Sequence, residues 1–216
     1  MNVPMPLAAG TFITLEGGEG VGKSTQTKRL IATLSAAGYE CVATREPGGS
    51  VGSEEIRRLL VEGAVDRWHP MTEALLHNAA RIEHLADIIK PALDAGKIVV
   101  SDRYFDSTMA YQGFGHGLDA ASIANLHWLL YKDFVPDLTL VLNLPIDEGL
   151  KRARIRGDGE DRYENMGEGF HKRLISGFLE IAQAEPDRCA VIDAIGDEDT
   201  VHSRIMQELR KRLELP

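Results

Sequence analysis

The segment from Phe12 to Thr25 reads FITLEGGEGVGKST. Its first five residues favour a β-strand, glycines follow, and a helical run then extends from Gly22 to Ala37 and stops at Gly38. Residues 17–24 fit G-x-x-x-x-G-K-[ST] and stand between a strand and a helix, the setting that pattern requires. Glycines let backbone N–H groups converge on phosphate oxygens, and the positive end of the helix adds to the attraction. Gly17, Gly18, Glu19, Gly20, Val21, Gly22, Lys23, Ser24 and Thr25 are therefore expected to cradle a nucleoside triphosphate. Lys23 would span its β- and γ-phosphates, and Ser24 would ligate Mg2+ through its hydroxyl. Glu19 is the anomaly, an acid placed beside a polyanion. The motif says that a triphosphate is bound and leaves the reaction open.

The chain has 216 residues, 44% apolar and 26% charged, which suits one α/β domain with a sizeable core. A net charge of −9 argues against a duplex-DNA binder, which needs a basic footprint. Local arginines can still hold a small anion. Cys41 and Cys189 lie far apart in strand-like runs, so they read as small core residues and not as a disulfide or metal pair. No signal peptide and no long apolar span are evident. A cytoplasmic protein with reduced thiols is expected, with neither nucleic acid nor membrane as a partner.

Further strands are expected at 40–45, 97–102, 137–143 and 188–193. Helices are expected at 53–62, 72 to about 89, up to 131, 147–156, up to 184, and finally to 214. Pro91 would end or kink the helix at 72 to about 89. Strands alternating with helices imply a parallel sheet covered on both faces, hence one three-layer domain over residues 1–216. The stretch 157–169 is polar and punctuated by glycine.

No N-K-x-D guanine reader and no LSGGQ signature is present. Instead, arginines stand at strand ends and on helices. Phosphoryl transfer between two small molecules requires this, because two polyanions must be held together against their repulsion. Thr44-Arg-Glu-Pro-Gly-Gly49 and Asp102-Arg103-Tyr104 follow strands, where ligand sites of α/β sheets lie. TREPGG, DRY, the run from Asp106 to Gly113 (DSTMAYQG), the run from Phe134 to Leu140 (FVPDLTL) and the run from Gly149 to Arg154 (GLKRAR) together resemble bacterial thymidylate kinases. That family consists of phosphate-loop nucleoside monophosphate kinases, and the similarity spans nearly the whole chain.

The resemblance implies a phosphate-loop NTPase fold with five parallel strands in the order 2-3-1-4-5, and a homodimer. It also implies ATP and dTMP as substrates, Mg2+ as cofactor, and dTDP as product on the way to dTTP. By motif position Arg57, Arg81 and Arg103 would grip the acceptor phosphate, with Arg45 shaping that pocket. Arginine suits the task because its fork binds phosphate bidentately. Thr108 and Gln112 match positions that hydrogen-bond the thymine edge, Tyr111 packs on the sugar, and Glu19 lies near the sugar 3′-hydroxyl or bound Mg2+. Some members of the family place an arginine inside the phosphate loop; this chain has none there and resembles the bacterial type, in which a mobile lid, here at about 157–169, supplies the charge. Arg156 is the first choice and Arg162 the next, with Lys23 and Arg103 completing the catalytic set; Arg152 and Arg154 lie nearby. Residues Asp193 to Gly196 are a candidate contact for adenine.

One position departs from the family. His77 stands where a base-stacking phenylalanine is usual. Either it stacks in that role, or the helix presents another residue, or the acceptor preference is relaxed. Three readings stay open: a dTMP kinase, a deoxynucleoside monophosphate kinase of altered base preference, and a non-catalytic NTP-binding switch.

Overall fold

Phe12–Glu16 is buried at all five positions, as a strand covered on both faces must be. Its alternation divides the core. Ile13 and Leu15 join Leu30, Leu34, Ile205 and Leu209 on one face, while Phe12 joins Val99, Tyr104 and Ile89 on the other. The computed structural model describes residues 5–6, 10–156 and 162–214.

In chain order the strands are β1 (Met5–Pro6), β2 (Phe12–Glu16), β3 (Cys41–Arg45), β4 (Ile98–Asp102), β5 (Leu138–Asn143), β6 (Cys189–Asp193) and β7 (Leu213–Glu214). The main sheet runs β3-β4-β2-β5-β6, all pairs parallel, so its five strands follow the expected order 2-3-1-4-5. The helices are α1 (Lys23–Ala36), α2 (Val51–Val61), α3 (Pro70–His84), α4 (Lys90–Asp94), α5 (Phe105–Thr108), α6 (Ala120–Tyr131), α7 (Ile146–Arg156), α8 (Glu168–Ala184) and α9 (Glu198–Arg212). Helices α1 and α9 pack together on one face of the sheet, and α8 lies against β5 and β6 on the other. Among the described residues no helix is long and apolar enough to cross a membrane.

Four details differ from the sequence reading. The last helix ends at Arg212, not Glu214, because Leu213–Glu214 turns into a strand paired with Met5–Pro6. The α-helical part of the helix expected at 72 to about 89 ends at His84 and continues as a π-helix over Leu85–Ile89 into α4. Pro91 has no N–H to donate and its ring crowds the carbonyl four residues back, and a wider turn accommodates both. A second π-helix, Met109–Gly115, follows α5, so Tyr111 and Gln112 sit on a widened coil and not on an ordinary α-helix. Cys189 is buried as expected, but Cys41 is only partly so, because β3 is an edge strand.

Candidate active site

The carboxyl ends of β2, β3 and β4 open into one cavity of about 620 Å3. The phosphate loop forms one wall. Gly22 takes the left-handed conformation at φ 95° where α1 begins, a conformation that costs glycine nothing. Gly20 abuts the start of α7 so closely that a Cβ there would run into the carbonyl of Gly149. Lys23 is folded back on the loop, donating to the carbonyls of Gly17 (3.2 Å) and Gly18 (2.7 Å). Burial, with the Arg103 charge beside it, lowers its ammonium to about 8, so an incoming polyphosphate would restore full protonation. Ser24 Oγ donates to Asp102 Oδ2 at 2.6 Å, placing two oxygen donors together at the mouth of the loop.

Arg103 joins the two halves of the cavity. Its backbone sits at φ 74°, a strained setting for a side chain with a Cβ. The surroundings hold it there: Ser101 Oγ donates to its carbonyl at 2.8 Å, and the next amide, Tyr104 N, donates to buried Glu16 at 2.7 Å. The guanidinium donates to Gly17 O (2.9 Å), to Ser107 Oγ (3.1 Å) and to Glu19 Oε1 (3.1 Å), and stacks over Tyr111 at 4.9 Å. Tyr111 Oη also donates to Glu19 Oε1. Glu19 is thus held by Arg103 and Tyr111, both residues expected on the acceptor side.

The opposite wall is built on α3. Arg81 is 1% exposed; its Nε donates to Glu46 Oε2 at 2.7 Å and its Nη2 to Thr108 Oγ1 at 3.0 Å. Its Nη1 is buried without a protein partner, a donor left for the cavity. Burial opposes ionisation of Glu46, but Arg81 and the hydrogen bond to His84 outweigh it and hold its carboxyl below the ordinary range. His77 Nε2 lies 2.9 Å from Tyr163 Oη, and burial lowers the imidazole to about 4, so it is neutral at pH 7. Arg57 lines the cavity and donates to the Pro47 carbonyl; Arg45 lines it too and pairs with Glu54 at 3.2 Å.

The structure gathers most of the expected site. Glu19, Gly20, Val21, Gly22, Lys23, Ser24, Thr25, Arg45, Arg57, His77, Arg81, Arg103, Thr108, Tyr111 and Gln112 all line this one cavity. Of the adenine candidates Gly196 does so, joined by Asp197 and Glu198. The lid arginines divide. Arg152 reaches the cavity wall and pairs with Glu148. Arg156 ends α7, and 157–161 of the expected lid fall outside the described residues. Arg162 is fully buried away from the cavity; it pairs with Glu73 and donates to the carbonyls of Leu60, Ala64 and Val65. In this conformation it is not available as a finger, because four acceptors already hold its guanidinium.

Sequence reading missed Glu46, Glu73, Tyr104 and Tyr163 as individuals. Glu73 carried a signal: residues 73, 77 and 81 recur every fourth position and so share one face of α3. Glu46 sits inside the quoted TREPGG, but its partners Arg81 and His84 are 35 and 38 residues away.

A phosphate loop at the end of the first sheet strand, a second wall of arginines, and a single cavity joining them define a phosphate-loop nucleoside monophosphate kinase. The thymidylate kinase family profile matches residues 15–205. A thymidylate kinase of Caulobacter vibrioides is 52% identical over 209 residues, 97% of this chain and 100% of that protein. One of Rhizorhabdus wittichii is 49% identical over 201 residues, covering 93% of this chain and 97% of the relative. The crystal structure of thymidylate kinase from Ehrlichia chaffeensis superposes with a TM-score of 0.76 at 36% identity, covering 94% of this chain and 99% of that one. The chain belongs to the thymidylate kinase family. Its activity is ATP-dependent phosphorylation of dTMP to dTDP, a step of nucleotide biosynthesis.

Proposed function

We propose that the two walls divide the substrates, with Arg103 between them. ATP lies on Gly17 to Thr25 with Lys23 on its β- and γ-phosphates. Arg57, Arg81 and Arg103 hold the dTMP phosphate and Arg45 shapes that pocket. Thr108 and Gln112 meet the thymine edge, His77 lies against the base, Tyr111 against the sugar, and Glu19 accepts from the 3′-hydroxyl. The observation that carries this reading is the position of Arg103, whose guanidinium touches both a loop carbonyl and Glu19. The acceptor phosphate is already an anionic nucleophile, so positioning and charge neutralisation are the main demands on the protein.

Ser24 and Asp102 would hold Mg2+. Among the described residues no cluster of three or more His, Cys, Asp or Glu side chains exists that could cage a metal. A hydroxyl and a carboxylate side by side fit an ion that takes few protein ligands and completes its shell with phosphate and water. When bound, the ion neutralises developing phosphate charge. Arg156, at the end of α7 and immediately before the lid stretch 157–169, is the proposed finger arginine; Arg162 would have to leave Glu73 and three carbonyls to act. A homodimer, readable by sedimentation velocity, would cover the exposed Leu75 and Ile82 of α3 and Trp128 and Leu129 of α6.

Steady-state ADP release over dTMP, dGMP, dCMP and UMP tests the acceptor assignment together with Arg57→Ala. Charge-assisted hydrogen bonds contribute about 1.5–3 kcal/mol, so the variant should raise KM for dTMP about 10- to 150-fold and leave KM for ATP unchanged. An unchanged dTMP KM would place the acceptor phosphate elsewhere.

A further inference from the structure

Gln112 is aimed by a residue that does not line the cavity. Its Nε2 donates to Glu73 Oε1 at 2.8 Å, and its Oε1 is buried at the cavity wall without a protein donor. Glu73 is completely buried. Burial favours its neutral form, but the hydrogen bond from His116 and the surrounding cationic groups outweigh this and hold the carboxyl down at about 2. A carboxylate only accepts, so the amide facing it must present its NH2 group. The carbonyl of Gln112 is left for the cavity by default. Glu73 cannot rotate out of this arrangement easily, because Arg162 pairs with its Oε2 and His116 Nε2 lies 3.2 Å from its Oε1. Arg162 is itself anchored on the carbonyls of Leu60, Ala64 and Val65.

We propose that Glu73, locked by Arg162, sets the pyrimidine preference by holding Gln112 with its carbonyl toward the base. An outward carbonyl pairs with a ring N–H, as thymine and uracil carry, and repels the unprotonated ring nitrogen of a cytosine-type base. Glu73 is thus a positioning residue. The inference rests on the reading that Gln112 meets the base edge. It assigns selectivity to a carboxylate behind the pocket wall, where no substrate atom reaches.

The test compares dTMP with 5-methyl-dCMP, which has the same ring methyl and nearly the same volume but an accepting ring nitrogen. In Glu73→Gln the introduced amide must turn its carbonyl to Arg162, which only donates, and its NH2 toward Gln112. Gln112 then swings its own NH2 into the cavity. The dTMP to 5-methyl-dCMP ratio of kcat/KM should fall at least about tenfold, with 5-methyl-dCMP turnover rising in absolute terms. A merely structural loss would lower both substrates alike, and an unchanged ratio overturns the proposal. Thermal unfolding and ATP binding report whether the variant is folded. If it is not, Glu73→Asp keeps the charge beside Arg162 but withdraws it from Gln112; the ratio should again narrow, and an unchanged ratio again overturns the proposal. Gln112→Leu separates the two levels: a raised dTMP KM upholds the base contact, whereas an unaltered KM sinks the underlying reading itself.

Discussion

His77 stands where a phenylalanine was expected, and its neighbours explain how the position tolerates the change. Burial keeps the imidazole neutral, with its pKa near 4, and its Nε2 meets the hydroxyl of Tyr163 at 2.9 Å. A neutral ring presents a face to the cavity while its polar edge is satisfied in the wall. His77→Phe should therefore leave KM for dTMP equal or lower. It should also cost about 1–2 kcal/mol of stability, because the buried Tyr163 hydroxyl loses a partner. Thermal unfolding reads that loss. A clear rise in KM would show that histidine makes a polar contact with the substrate. The same scale shows why individual residues were hard to read from sequence. Arg81 was legible as a ligand of the acceptor phosphate, yet its orientation depends on Glu46 and Thr108, neither of which sequence spacing ties to it.

At the scale of elements, the phosphate loop and α7 are fitted to each other. Gly20 faces the carbonyl of Gly149, and a Cβ built on Gly149 would lie 2.5 Å from the carbonyl of Glu19. The helix that carries Arg152 and Arg156 therefore starts against the loop that would hold the triphosphate. Gly149→Ala should push the two apart. Overpacking costs about 1–3 kcal/mol, so kcat/KM for ATP should drop about 5- to 150-fold in steady-state assays, while the dTMP KM changes little. Wild-type kinetics would show that the loop absorbs the added methyl. Strands and most helix limits were legible, since apolar runs and glycine punctuation are local signals. The two π-helices were not. Thr108 and Gln112 are four apart, which satisfies an α-helical reading, but the turn over Met109–Gly115 is wider, as in the bond from His116 N to Tyr111 O, five residues back at 2.9 Å.

Across the whole molecule, buried titratable groups set opposing pH trends. Burial lowers His77 and His127 to about 4, below the 6.5 usual for the unfolded chain. The unfolded state binds their protons first, so stability falls as pH drops from 6.5 toward 4. Glu46 and Glu73 are held low, so what they contribute is complete above about pH 4.5 and is lost as pH falls further. Glu16 opposes this trend. Burial, with Asp106 nearby, raises it to about 8, so the folded state keeps a proton that the unfolded chain has released. Its contribution declines as pH rises from 4.5 through 8. Burial lowers His171 and His202 as well, so the histidines together outweigh one glutamate up to about pH 7, and Glu16 dominates from there to about 8. The melting temperature should peak near pH 7, and Glu16→Gln should remove the decline between 7 and 8. A wild-type melting curve that keeps rising to pH 8 would show that Glu16 is ionised in the fold.

By itself the sequence determined the phosphate loop, the alternation of strands and helices, the family, and a set of arginines and polar residues that fall around one cavity. These are readable because each depends on neighbours a few residues away: glycine where φ is positive, an apolar run where a strand is covered on both faces, a motif at a strand end. Only the tertiary structure decided how those side chains are aimed. Glu73 to Gln112, Arg162 to Glu73, Glu46 to Arg81 and Glu16 to Tyr104 are pairings across 35 to 89 positions, each made in an interior where an unpartnered polar atom is costly. Burial enforces such pairings, and burial belongs to the folded chain, so no spacing along the sequence announces them.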